Sequence, residues 1–144
     1  MWEMCEVLRK VLLLGGLFCI AWLDYRTQLI KVGWLLLIGL TGSVFTLLEG
    51  KTLLEEGAFT GMLVGIAMLV FAWISGESIG FGDGWLFVVT GVYLNFFENV
   101  ALLFGSTVLA GIFAITCLVF KKKRKNDRLA LAPFVLTGYV VFVL

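Results

Sequence analysis

The chain has 144 residues, 61% hydrophobic and 15% charged, with one proline and no histidine. Soluble globular domains are about half apolar and about a quarter charged, so most of this chain is expected in lipid, as a single domain over residues 1–144. The net charge of +1 gives no reason to expect a nucleic-acid partner.

Six uncharged runs follow one another: Val11–Leu23, Val32–Leu48, Gly57–Gly76, Gly84–Phe97, Asn99–Phe120 and Leu129–Leu144. A spanning helix needs about 20 apolar residues, within a range of roughly 17–25. The second, third and fifth runs reach that range. The first can extend back past Arg9 and Lys10, whose stems snorkel to the interface. The fourth and sixth are shorter and are expected to tilt or lean on neighbours. Only a helix satisfies its own backbone in lipid. The fold class expected is therefore an all-α membrane protein, a polytopic bundle of about six transmembrane helices. The first run ends in Asp24-Tyr25-Arg26 rather than in a small-residue cleavage site, which argues against a removed signal peptide. Gly61 and Gly65 have the G-x-x-x-G spacing of close helix packing, with no function attached. Cys5, Cys19 and Cys117 form no CxxC pair and no metal-ligand spacing, and read as apolar filler.

Lysine and arginine set the orientation. The stretch "KKKRKNDR", Lys121 to Arg128, holds six of the eleven basic residues, which places it in the cytoplasm and needs no nucleic acid to explain it. With six spans, the connections around Asp24–Lys31 and Ser75–Asp83 share that side. Arg26 and Lys31 agree with this. Glu49, Glu55, Glu56 and Glu98, against Lys51, then lie on the opposite side, with both chain ends.

This bookkeeping puts two aspartates at one membrane face. Asp24 closes the first helix and Asp83 opens the fourth. Ionisable groups beside lipid are expensive and usually functional. Two close carboxylates share one proton, so one can act as base and the other as acid. Such a pair can activate water and protonate the departing amine of a peptide bond. No histidine is available as a base. Gly80, Gly82 and Gly84 surround Asp83, and glycine admits both unusual backbone angles and close approach of another chain. The plainer alternative is a loop whose aspartate caps a helix start.

Two segments resemble one family. "GFGDG", Gly80 to Gly84, resembles the G-x-G-D motif of intramembrane aspartyl proteases. "DYRTQLI", Asp24 to Ile30, is similar to the segment that supplies the first aspartate in type IV prepilin peptidases. "LAPFVLTGY", Leu131 to Tyr139, is similar to the last helix of the same family. The resemblance implies a polytopic protease of the cell membrane. It would remove leader peptides from prepilins or pseudopilins at the cytoplasmic face, after a small residue such as Gly, with Asp24 and Asp83 catalytic and no metal cofactor. It leaves open which precursor is cut, whether a pilus, a secretion system or DNA uptake uses the product, and the oligomeric state.

Two departures stand out. Lys31 and Val32 replace the family's Pro-Asn, and Trp85 replaces its usual Lys. Losing that positive charge is expected to alter the proton affinity of the aspartate pair. Only 23 residues precede Asp24, without the paired CxxC motifs of the longer forms, so a peptidase without N-methyltransferase activity is expected.

Other residues carry alternatives. Arg26 either orients a carboxylate or lipid phosphate or anchors the interface. Glu77 either attracts a basic leader or is a solvated loop charge. Tryptophans near helix ends fit an interfacial belt, and Pro133 fits a helix start. Two rival functions remain at this level: a catalytically inactive relative that binds pilin subunits, and a small cation or proton transporter using the two aspartates.

Overall fold

The computed structural model describes residues 2–27, 31–50, 57–76, 80–120 and 130–143. Six α-helices run in order: α1 (Trp2–Thr27), α2 (Val32–Leu48), α3 (Ala58–Ile74), α4 (Phe81–Tyr93), α5 (Phe96–Val119) and α6 (Ala132–Phe142), with no strand among the described residues. The fold is all-α, as composition requires. Helix α1 extends through Arg9 and Lys10, and α2 coincides with its uncharged run. The basic stretch 121–128, Ile30 and Glu77 lie outside the described residues.

The boundary between α4 and α5 differs from the expectation drawn at Glu98. Helix α4 stops at Tyr93, and Asn95 caps α5. The Glu98 backbone N–H donates to Asn95 Oδ1 at 3.1 Å, while Glu98 Oε2 accepts from the Asn95 N–H at 3.3 Å. This reciprocal pair satisfies two helix-end donors. The sequence signal was the N-x-x-E spacing. Glu98 is part of the helix start rather than a free loop charge.

Successive helices run antiparallel, and α4 is the central one. Past its first turn, all but two of its residues are buried. The α3–α4 pair has the most extensive contact in the bundle. Its closeness comes from Gly61, Gly65 and Gly91. A Cβ on Gly61 would stand 2.6 Å from the Gly91 carbonyl oxygen, and one on Gly65 would stand 2.6 Å from the Phe87 carbonyl carbon. The G-x-x-x-G spacing is thus a backbone-to-backbone seam. Asn99, fully buried in α5, donates from Nδ2 to the Gly61 carbonyl at 2.8 Å and to the Phe87 carbonyl at 3.0 Å, and accepts from Thr90 Oγ1 at 2.8 Å. One side chain therefore ties α3, α4 and α5 together.

The outer faces are apolar: Leu36, Leu40 and Leu47 of α2, Ile66 and Val70 of α3, and Phe104, Val108 and Ile112 of α5 are all exposed. Helix α5, with 24 residues, is long and apolar enough to cross a bilayer. Helices α2 and α3, at 17 residues each, and α6, at 11, are apolar but shorter. Helix α4, at 13 residues, is about 20 Å long. It is wrapped by its neighbours.

Candidate active site

The site is built at the end of the bundle where α1 stops and α4 and α6 start. Asp24 sits in the last turn of α1 and is 4% exposed. Its partner lies 108 positions away: the Ala132 N–H donates to Asp24 Oδ2 at 3.1 Å. Ala132 is the first residue of α6, and Pro133 follows it. The first N–H groups of a helix have no intrahelical acceptor, and proline brings none of its own. Asp24 thus caps α6 from another helix. The α6 N-terminus, with its partial positive charge, holds the carboxylate in one place. At the other end of α6, the Tyr139 hydroxyl donates to the Lys10 carbonyl at 3.2 Å, fixing α6 antiparallel along α1.

Asp83 is the third residue of α4 and is half-buried. Gly80 precedes the helix in extended conformation (φ −62°, ψ 131°), and its carbonyl accepts the Asp83 N–H at 3.1 Å. Asp83 therefore lies in the first turn, where a carboxylate also favours the helix start. The charges of Asp24 and Asp83 act on each other. The fold brings together two groups 59 positions apart in sequence.

The three glycines divide their roles differently from the expectation. A Cβ on Gly80 would stand 3.2 Å from Asp83 Oδ2, so this glycine leaves the carboxylate room. Gly84 is filled from the other side, because a Cβ there would stand 2.7 Å from Leu69 Cδ2 and 3.2 Å from the Leu69 nitrogen. The chain that approaches Gly84 is α3, not an incoming peptide. Gly82 is half-buried in the same turn. None of the three has positive φ. Among the described residues that conformation occurs at Gly50 (φ 72°), Gly57 (φ 71°) and Gly76 (φ 63°), the last just past the end of α3.

Arg26 is exposed, and its guanidinium lies 5.4 Å from the Trp22 ring centroid. This cation–π contact suits an interfacial anchor, while Asp24 takes its hydrogen bond from Ala132. Lys31 is exposed and precedes α2 in extended conformation, its carbonyl accepting the Trp34 N–H at 3.1 Å. Trp85 packs its ring against the core and faces a groove toward α2. Residues two apart on a helix point about 200° apart. The departure at this position therefore falls on a different face of α4 from Asp83. Among the described residues, no group of three His, Cys, Asp or Glu could hold a metal, and all three cysteines are free.

Ala132 was not singled out in the sequence. The available signal was Pro133, which marks a helix start whose preceding N–H needs an acceptor.

Residues 11–115 match the model of the type IV leader peptidase family, a segment that contains both Asp24 and Asp83. No curated protein and no solved structure matches the chain. With nearly three-quarters of its residues inside the match, the chain belongs to the type IV leader peptidase family and is a leader-peptidase-like protease.

Proposed function

We propose that the protein is a multi-pass membrane aspartyl endopeptidase. It cleaves the leader from a prepilin or pseudopilin at the cytoplasmic face, after a small residue, with Asp24 and Asp83 as its catalytic pair. The observation that supports this reading is the placement of both aspartates at the same end of the bundle, Asp24 buried and held by the α6 N-terminus, Asp83 half-open in the first turn of α4. The apolar outer faces of α2, α3 and α5 support the membrane placement, since soluble monomers rarely expose such continuous surface.

In the proposed cycle the pair starts with one shared proton. The ionised carboxylate takes a proton from water while the oxygen bonds to the scissile carbonyl carbon. The protonated partner gives its proton to the amide nitrogen, and the C–N bond breaks to leave an acid and an amine. Asp24, fixed against Ala132, is the rigid member. Asp83, half-exposed at the helix start, is the member a substrate meets. An extended peptide suits this geometry, so the substrate backbone unwinds around the scissile bond.

The test is co-expression with a candidate prepilin, following the leader by gel shift and mass spectrometry, beside Asp24→Asn and Asp83→Asn. Cleavage after a small residue, lost in both variants, is the expected result. Cleavage surviving either substitution removes the pair mechanism. Binding of precursor without cleavage by the wild type favours the inactive-relative reading.

A further inference from the structure

We propose that the polar cavity at the end of the bundle opposite Asp24 and Asp83 binds a small zwitterion carrying a phosphate and a primary ammonium. Its source is either the headgroup of a membrane phospholipid or free phosphoethanolamine. The first source rests on the membrane placement proposed above, and neither rests on the protease chemistry.

The cavity, about 240 Å³, lies between the first third of α1, the α4–α5 junction and the later turns of α6. Glu6, Arg9 and Lys10 line it from α1, at i, i+3 and i+4 on one helix face. Glu98 lines it from α5, and Tyr93 and Tyr139 line it from α4 and α6. Much of this wall is held in place. Glu98 Oε2 accepts the Asn95 N–H of the α5 capping pair. The Tyr139 hydroxyl donates to the Lys10 carbonyl at 3.2 Å, and the Tyr93 hydroxyl to the Ile38 carbonyl at 2.7 Å. Both tyrosines are buried while Glu6 is exposed, so the cavity has a closed floor and an open rim.

The lining carries two cations and two carboxylates. A bare phosphate would meet both carboxylates, and a bare cation would meet both basic groups, so the complementary ligand carries both signs. Phosphate suits Arg9 and Lys10, whose side chains only donate. The other half of the ligand must donate in turn. Each tyrosine hydroxyl has one proton and spends it on a backbone carbonyl, so beside Glu6 and Glu98 it adds only an acceptor. A primary ammonium supplies N–H donors to these acceptors, and a quaternary ammonium has none. The volume is below the about 300–1,000 Å³ of drug-sized sites, which fits a headgroup without its acyl chains. Lys10 lies 14 positions (24 − 10) from Asp24, about 21 Å along α1. In a hydrocarbon layer about 30 Å thick, the stems of Arg9 and Lys10 carry their charges toward the face opposite the aspartates. The chain neighbours Val11, Phe96, Phe97 and Val140 are exposed and give acyl chains an apolar surface.

The full chain in detergent micelles is titrated with phosphatidylethanolamine, phosphatidylglycerol or phosphatidylcholine, and separately with soluble phosphoethanolamine. Thermal unfolding and native mass spectrometry read the binding. Phosphatidylethanolamine should raise Tm by roughly 4 °C or more at saturation, and the other two lipids by less than half as much. In equimolar mixtures its adducts should exceed theirs about fivefold or more. A matching shift with phosphoethanolamine makes the ligand a soluble one, and a shift with the lipid alone makes it the bilayer's. Equal effects of the three lipids with none from phosphoethanolamine, or no effect of any, overturn the proposal. Arg9→Gln with Lys10→Gln should abolish the preference. Glu6→Gln with Glu98→Gln should turn it toward phosphatidylglycerol, and glutamine at 98 keeps an oxygen for the Asn95 N–H. An unchanged preference in both double variants overturns the assignment to this cavity, as does its loss in Lys31→Gln, an exposed charge at the other end. Where a double variant fails to fold, the wild-type mass spectrum decides. Absence of leader cleavage leaves this result standing, and loss of the lipid preference leaves the protease reading intact.

Discussion

Replacing Gly65 by alanine puts a methyl group into the backbone of α4. The new carbon would stand 2.6 Å from the Phe87 carbonyl carbon and closer still to the Val88 nitrogen, whereas ordinary contact begins at 3.4 Å. The helices must part locally by at least the difference, 0.8 Å. Neither obstacle is the flexible end of a side chain, so neither can rotate away. The cost of overpacking is about 1–3 kcal/mol. Asn99 bridges Gly61 of α3 and Phe87 of α4 at 2.8 and 3.0 Å, and parting the helices stretches at least one of these bonds. A buried carbonyl left without its donor costs about 1–3 kcal/mol more. Alanine's better helix propensity offsets about 1 kcal/mol. The net expectation is a loss of about 1–5 kcal/mol, or a fall in Tm on the order of 3–20 °C for a domain of this size. Thermal unfolding in detergent, followed by circular dichroism, reads this directly. The comparison is Gly111→Ala, which carries the propensity gain without the clash. A Gly65→Ala Tm equal to or above that of Gly111→Ala would refute the backbone seam. Because α4 also carries Asp83, leader cleavage should fall about tenfold or more, since catalysis is sensitive to displacements near 1 Å.

The two roles of Asp24 should separate. Asp24→Asn keeps an oxygen for the Ala132 N–H, so stability should hold within about 0.5 kcal/mol while cleavage is lost. Asp24→Ala should lose cleavage and about 1 kcal/mol as well. Equal stability of the two variants in urea titrations would show that the cap contributes nothing. Asn99→Ala leaves the Gly61 and Phe87 carbonyls without that donor and should cost about 1–3 kcal/mol. Thr107→Val, which removes an exposed bond to the Leu103 carbonyl, should change little beside it in the same unfolding assay. Tyr93→Phe removes the hydroxyl that donates to Ile38 and lies 3.1 Å from Thr41 Oγ1, for about 1 kcal/mol. An unchanged denaturation midpoint would show that the α2–α4 contact rests on packing alone.

Several elements were legible because long uncharged runs leave the backbone few choices. An uncharged run must satisfy its own backbone, which makes it a helix, and α2 matches its run residue for residue. The aspartates could be placed at helix ends because charge is expelled to the ends of such runs. The α4–α5 boundary was misplaced because the only charge, Glu98, drew the line. The actual break is set by the backbone at Leu94 and the cap at Asn95, and both are uncharged. The glycines around Asp83 were expected to admit a peptide. Gly84 instead admits Leu69, since a glycine's position does not say which neighbour fills the space.

The sequence by itself determined that this is an all-helical chain, that Asp24 and Asp83 terminate two of its helices, and which family pattern surrounds them. These follow from composition, run length and local motif. Tertiary structure decided which face each residue presents and what it meets. It brought Ala132 to Asp24 across 108 positions, turned Trp85 toward α2, and made α3 the partner of Gly84. Each of these depends on how two helices rotate and cross. That is set by the fit of small residues against a neighbouring backbone, and a neighbour cannot be identified from one helix alone.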